Sequence, residues 1–254
     1  MKSEKQKLGI VLLVLLLAAI GPNLFPIAQA GIANLSKMAV DYLIPSVVLI
    51  LVLILVTHLL KFSLLKRQII TGIIAGIIAT IGLEIFRITG FRIGWMPGDL
   101  PKLMGVLLLD QFALGPDSTS NIAGWAYHFW NGAAFGIIYS LLVGRVVGRG
   151  KPWMGLLYGF LIGIGFMLSP VVRSLGVGSF GLQFKDGYQL FVVVSLAHIA
   201  FGVVLGWLVY KMNSGVPGIV TRVKKSYIKE TPEEFKNKLL SLQSDLNQLP
   251  STTL

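Results

Sequence analysis

A small set of polar and ionisable residues stands inside otherwise apolar stretches of the chain, and their types could carry chemistry. They are Glu84, Arg87, His128, Asn131, Arg173 and His198. Ionisable groups inside membrane segments are expensive to insert and are functional candidates by default. We expect these side chains to lie near one level of a helical bundle, forming a polar site in its outer half.

Several kinds of chemistry fit this set. Two histidines on facing helices are what a bis-histidine b-type haem requires, so His128 and His198 are candidate haem ligands. The same pair with Glu84 could hold a divalent metal, although no metal-binding motif accompanies them. In a transporter, Glu84 or a histidine would exchange a proton while Arg87 and Arg173 hold a negative group. The structural alternative is that Glu84 and Arg87 neutralise each other and the histidines bond to neighbouring helices.

Composition indicates that membrane helices position these residues. The chain has 254 residues, of which 54% are hydrophobic and 13% are charged, whereas soluble domains carry roughly 25% charged residues. Apolar runs long enough to cross the hydrocarbon core recur along it. We predict an all-α integral membrane protein, a six-helix transmembrane bundle. The spans lie at about residues 8–27, 40–60, 69–88, 122–143, 153–172 and 190–210, within a transmembrane domain over 1–212 that precedes a tail over 213–254.

The first span has a second interpretation. The basic residues of 2–7, the apolar run 8–20 and then Ala28-Gln29-Ala30 also fit a cleavable signal peptide. We expect a retained span. Cleavage would leave five spans with the N-terminus outside, and nothing further along the chain depends on the choice.

Basic loops predict the orientation. The segments KFSLLKR, residues 61–67, and GRVVGRGK, residues 144–151, are short and basic, and the tail adds further lysines. Because such loops stay in the cytoplasm, we place both termini there. The formal net charge of +11 is then a topology signal with some attraction to anionic lipid headgroups, and we expect no nucleic-acid binding.

Glycines recur with the same spacing in two pairs of spans. Gly72, Gly76 and Gly82 of the third span are matched by Gly155, Gly159 and Gly165 of the fifth, and His128-x-x-x-Gly132-x-x-x-Gly136 of the fourth span by His198-x-x-x-Gly202-x-x-x-Gly206 of the sixth. Residues four apart share a helix face, and faces of small residues let membrane helices approach closely. We therefore predict a duplicated two-helix unit, spans 3–4 and 5–6, with spans 1–2 added in front.

Two segments outside the spans are also predicted to be helical. The apolar residues within 100–107 suit a short helix in the outer loop, lying at the interface or re-entering the bundle. In the tail, Thr231-Pro232-Glu233-Glu234 is typical of a helix start, and an apolar seam follows it. We predict an amphipathic helix over about 232–248 that docks on a cytosolic partner, on the bundle or on the membrane.

The functional expectations follow from these features. Cysteine is absent, which excludes thiolate metal sites and thiol nucleophiles. We expect no enzyme, but small-solute or ion transport or permeation, or an accessory subunit of a membrane complex. A haem- or quinone-binding electron-transfer subunit using His128 and His198 is the alternative, with haem b as its cofactor. A third possibility is an assembly subunit that recruits a partner through its tail.

Location and partners complete the expectations. The segment MPGDLPKLMG, residues 96–105, followed by WAYHFWNGAAFGIIY, residues 125–139, is similar to multi-pass prokaryotic membrane proteins of unassigned activity. This resemblance implies the cytoplasmic membrane of a prokaryote. The expected partners are membrane lipids, further copies of the chain in a homo-oligomer, or other subunits of a membrane complex.

Overall fold

Helices make up every regular element that the structure, a computed structural model, describes over residues 2–146, 152–213 and 240. In chain order they are α1 (Lys2–Gln29), α2 (Leu35–Met38), a π-helical turn (Ala39–Leu43), α3 (Ile44–Leu59), α4 (Ser63–Arg92), α5 (Leu100–Leu108), α6 (Ser118–Val146), α7 (Pro152–Leu168), α8 (Pro170–Ser174), a 3₁₀ turn (Ser179–Gly181) and α9 (Gln189–Met212). The short helix expected within 100–107 is α5. The tail helix expected over 232–248 lies outside the described residues, apart from Leu240.

Among the described residues, five helical segments are long and apolar enough to cross a membrane. They are Lys5–Gln29, Leu35–Leu59, Ser63–Arg92, Pro152–Ser174 and Gln189–Met212. The fourth span of the sequence prediction lies in α6, which is 29 residues long but is not among the five. Polar and aromatic residues such as His128, Trp130 and Asn131 occupy the middle of α6 and interrupt its apolar sequence.

Side-chain contacts show which helix ends lie together. The guanidinium of Arg67, in the second turn of α4, donates from Nε to the carbonyl oxygen of Met212 at the end of α9, at 2.9 Å. At the other end of the bundle, α5 packs against the start of α6. We call these the α3–α4 turn end and the α5 end of the bundle.

Glycine faces bring α6 against α4. A Cβ atom added to Gly76 would overlap the carbonyl oxygen of Gly132, and one added to Gly72 would lie 2.6 Å from the Cα of Ile137. Real Cβ atoms do not approach backbone so closely, so only glycine permits this separation of the two helices. Such faces of small residues are a common means of packing membrane helices.

A second glycine contact joins α7 to α9, in a different register. There the carbonyl oxygen of Gly202 approaches Gly155. In the sequence repeat, Gly202 is the counterpart of Gly132 and Gly155 is the counterpart of Gly72. In the α4–α6 pair, however, the oxygen of Gly132 lies against Gly76. The two pairs therefore use the same glycine faces with a shift of one helical turn between them.

Helix α4 connects the two pairs, and α5 is fixed to α6. Gly90 lets α4 approach α9, since its added Cβ would lie 2.6 Å from Val193 Cγ2.

The start of α6 is capped reciprocally, because Ser120 N–H donates to Asp117 Oδ1 at 2.6 Å and Asp117 N–H donates to Ser120 Oγ at 2.9 Å. The Ser120 backbone N–H also holds the pKa of Asp117 below its ordinary value.

Candidate functional site

Four side chains form one buried network at the α5 end. Glu84 and Arg87 lie one turn apart on α4, with Arg87 Nε 2.6 Å from Glu84 Oε1 and Nη2 2.6 Å from Oε2. His128, on α6, contacts Glu84 Oε1 through Nε2 at 2.8 Å. Asp99, just before α5, accepts from Arg87 Nη1 at 2.9 Å. The arginine thus bridges two carboxylates that come from different segments.

Burial makes the charges of this network important. The side chains of Arg87 and Glu84 are 5% and 8% exposed, and that of His128 is 15% exposed. With a neutral imidazole the four groups sum to one negative charge, and with a protonated imidazole they sum to zero. Because unbalanced charge is costly away from water, the network is suited to holding or releasing a single proton.

A cavity of about 500 Å³ adjoins the network. Its wall is formed by residues of α1, α4, α5, α6, α7, α8 and α9, together with Met96 before α5 and Ser169 before α8. Of the residues predicted to form a site, Arg87, His128, Asn131 and His198 line it, and Glu84 lies directly behind His128 and Arg87. The rest of the wall is mainly apolar and includes Phe25, Met104, Phe135, Phe166 and Phe201. Its size and mixed lining are typical of small-molecule sites.

His198 lies in the second helix pair and has no carboxylate partner among the residues that the structure describes. Its Nδ1 is 2.8 Å from the carbonyl oxygen of Val194, one turn earlier on α9. A carbonyl only accepts, so Nδ1 carries the proton, and Nε2 of the neutral ring remains an acceptor. The ring stacks on Phe166, with centroids 6.0 Å apart.

The register shift explains why the two histidines differ. In the spatial alignment of the helix pairs, the position of Glu84 on α4 corresponds to Gly163 on α7. An added Cβ on Gly163 would lie 3.1 Å from His198 Cβ, so the glycine accommodates the histidine instead of bonding to it. One pair therefore presents an imidazole that is bonded to a carboxylate, and the other presents an imidazole with a free acceptor nitrogen.

Asn131 and Arg173 have different positions. Asn131 lines the cavity, and its Oδ1 is buried without a hydrogen-bond partner among the described residues. Arg173 lies on α8, exposed and away from the cavity wall, and donates to the carbonyl oxygen of Leu168 at 3.2 Å. The structure does not bring it to Glu84 and Arg87, because Ser169 and Pro170 end α7 and start a new helix before Arg173 is reached.

The cavity wall also depends on a bond that the sequence did not indicate. The hydroxyl of Tyr127 donates to the carbonyl oxygen of Gly21 at 2.6 Å and accepts from the N–H of Phe25 at 3.1 Å. It thereby bonds to α1 on both sides of Pro22, in a segment where Pro22 and Pro26 remove backbone donors. Both prolines line the cavity, so Tyr127 fixes this part of the wall.

Asp99 is a member of the network that sequence reasoning missed. It lies in a loop, where spacing does not determine what a side chain contacts. The only signal was its place before Leu100 and Pro101, which suits a residue at a helix start.

The haem and metal hypotheses meet a geometric obstacle. His128 Nε2 is bonded to Glu84, so an iron between the histidines would have to displace that bond or use Nδ1. His198 alone keeps Nε2 available. Within the described part of the chain, no group of three or more His, Cys, Asp or Glu residues is arranged to hold a metal ion.

The chemistry open to this arrangement is proton exchange beside an apolar binding cavity. Arg87 is paired with two carboxylates, while the cavity wall offers aromatic surface and two imidazoles.

Comparisons of the chain with protein-family models, curated proteins and solved structures gave no match.

Proposed function

We propose that the protein moves a small solute across the cytoplasmic membrane of a prokaryote and exchanges a proton at Glu84 and His128 as it does so. The observation that carries this proposal is the buried network of Glu84, Arg87, His128 and Asp99 beside a cavity of about 500 Å³. Buried ionisable groups inside membrane helices mark ion and proton pathways in transport proteins. The protein is not an enzyme in this proposal.

The proposed architecture is a six-helix bundle in which α6 is the fourth span, in addition to the five apolar segments, and the pairs α4–α6 and α7–α9 form a duplicated unit. The matched glycine faces support the duplication, and the 29 residues of α6 are enough to cross the hydrocarbon core. Solute sites of repeat-built transporters lie where the repeats meet. The cavity, lined by α4 and α6 on one side and α7 and α9 on the other, has this position.

The first span is retained in this proposal, with both termini in the cytoplasm. Residues of α1 line the cavity, and Tyr127 of α6 bonds to its backbone at two points. Cleavage after Ala30 would remove this part of the wall. The surrounding lipids would contact the exposed apolar residues of α3, such as Leu51, Leu55 and Leu59.

Transport is better supported than electron transfer. The engagement of His128 Nε2 with Glu84 weighs against paired axial ligation by His128 and His198. An accessory or assembly role would give no reason for a charge network beside an internal cavity. Recruitment of a partner through the tail concerns residues outside the described ranges and is compatible with transport.

The proposal is tested by proton flux in liposomes. The purified chain is reconstituted in vesicles that contain a pH-sensitive dye, and gradients of small solutes of different charge are imposed. We expect a solute-dependent proton flux that Glu84→Gln and His128→Ala abolish. Glu84→Gln cannot exchange a proton, and His128→Ala removes the imidazole that shares one with the carboxylate.

The matched control is Arg173→Gln, which removes an ionisable residue outside the cavity and should keep the wild-type flux. Unfolding temperatures in detergent identify a variant that has merely lost its fold. Unchanged flux in folded Glu84→Gln and His128→Ala would contradict the proposal and favour a purely structural network.

A further inference from the structure

We infer that the cavity takes a cation with an apolar body, a lipophilic ammonium compound, and that this cation competes with a proton on the network. The inference rests on the proposed function and names the class of solute. It departs from the sequence-based hypothesis that Arg87 and Arg173 hold a negative group.

The cationic side chain that lines the described part of the cavity, Arg87, is already paired with two carboxylates. Each of the three guanidinium nitrogens of Arg87 donates to a carboxylate, two to Glu84 and one to Asp99. Arg173 lies outside the wall, and among the described residues no lysine lines the cavity. An anion would therefore meet a network that is already neutral or negative, which is unfavourable in a medium of low dielectric constant.

Several of the polar side-chain atoms that remain in the described wall are acceptors, and the unpaired hydroxyl of Ser169 can donate or accept. The hydroxyl of Thr80 donates to the carbonyl oxygen of Gly76 at 2.9 Å, which leaves its oxygen lone pairs. Neutral His198 has an acceptor at Nε2, and neutral His128 has one at Nδ1 because its Nε2 donates to Glu84. A bound molecule that satisfies them must donate hydrogen bonds, as an ammonium group does.

The charge of the network favours a cation over a neutral donor. When His128 is neutral, the network carries one negative charge, which a cation in the cavity would balance. The charged and titratable groups that face His128 are Glu84 and Arg87 from α4, Asp99 from the segment before α5, and His198 across the cavity. The described residues of α1 and α7 add no titratable side chain to the wall. Protonation of His128 removes the charge, so protons oppose the cation and binding should strengthen as the pH rises.

The apolar part of the wall suits the body of such a molecule. Phe25, Phe135, Phe166 and Phe201 line the cavity from α1, α6, α7 and α9. Aromatic faces attract cations, with gains of roughly 0.5 to 2 kcal/mol per contact when water is excluded. The volume of about 500 Å³ lies within the usual range for small organic ligands.

The test uses three probes that share one phenylalkyl body. The full chain in phosphatidylcholine nanodiscs is titrated calorimetrically with 4-phenylbutylammonium, 4-phenylbutanol and 4-phenylbutanoate at pH 5.5 and pH 8, and empty nanodiscs supply the blank. We expect the ammonium to bind at least about tenfold more tightly than either other probe, a difference of about 1.4 kcal/mol. Its affinity should be higher at pH 8 than at pH 5.5.

Variants distinguish binding that depends on the charged network from simple partitioning of the probe into the apolar cavity. His128→Gln should bind the ammonium with little dependence on pH, because the competing proton is gone. Glu84→Gln removes the negative charge and should lose the preference for the ammonium, whereas Arg173→Gln should behave as wild type. Circular dichroism of each variant confirms that it is folded.

The outcomes distinguish this inference from the transport proposal. Tighter binding of the alcohol or the carboxylate, or an ammonium affinity that does not depend on pH, overturns the cation inference. If solute-driven proton flux persists in that case, transport stands with another class of solute. Ammonium binding as expected without any flux sustains the inference and contradicts transport.

Discussion

Arg87 holds the buried network together because it bonds to carboxylates from two segments. Replacing it with glutamine would leave the carboxylates of Glu84 and Asp99 without the cation that both of them bind. Removal of one partner from a buried ion pair typically costs about 3 to 5 kcal/mol. We expect Arg87→Gln to lower the free energy of unfolding by about this amount, measured by denaturant titration in detergent micelles.

Arg173→Gln is the matched control for this substitution, since the same change at an exposed site should alter stability by less than about 0.5 kcal/mol. Arg87→Lys should recover only part of the loss, because a lysine ammonium cannot span both carboxylates in the fixed geometry of a guanidinium. Equal stability of Arg87→Gln and Arg173→Gln would show that the Arg87 bonds contribute nothing net.

At the residue scale, the sequence predicted part of the site. The spacing of Glu84 and Arg87 predicts their ion pair, and the depth of His128 and His198 within their spans places both at the same cavity. Asp99 and Tyr127 were not predicted as contacts, because one lies in a loop and the other depends on which face of α6 meets α1. Arg173 was expected at this level by counting along a continuous helix, and Pro170 ends that continuity.

Among the elements, the two glycine-packed helix pairs allow a direct comparison. Gly76 and Gly159 face backbone so closely that a methyl group at either position would force α4 from α6 or α7 from α9. Overpacking of this kind typically costs about 1 to 3 kcal/mol. We expect Gly76→Ala and Gly159→Ala each to reduce the free energy of unfolding by that amount, in the same detergent titration.

Gly165→Ala serves as the control on α7, since no atom lies within 4 Å of its added Cβ. It should be neutral or slightly stabilising, because alanine is the better helix former. If the control loses as much stability as Gly76→Ala, the glycines matter for a reason other than close packing.

The elements themselves were easier to predict than their relative positions. Apolar runs located all the long helices, and repeated glycines identified which faces pack, because both signals are local in sequence. The shift of one turn between the pairs is a tertiary property. It places Gly163 opposite His198 where the other pair has Glu84 opposite His128, and so His128 is bonded to a carboxylate while His198 bonds only to a backbone carbonyl of its own helix among the described residues.

For the whole molecule, the distribution of polar groups predicts how the bundle is oriented in the membrane. The network and the cavity lie at the α5 end, whereas basic residues such as Lys61, Lys66 and Arg67 lie near the α3–α4 turn. If the basic turn is cytoplasmic, as the charge bias of short loops predicts, the site lies in the outer half of the membrane. A solute or a proton would then reach the network from outside first.

The native chain contains no cysteine, so single cysteines can report this orientation without removing others. Ser63 and Ser118 are exposed at opposite ends, at the starts of α4 and α6, and serine to cysteine is a small change. In intact cells, a membrane-impermeant maleimide should label Ser118→Cys and should label Ser63→Cys only after permeabilisation. The reverse pattern would show the opposite orientation, with the network in the cytoplasmic half of the membrane. The proton would then have to enter from the cytoplasm. Labelling of both sites in intact cells would mean that the chain between them does not cross the membrane once, through α4.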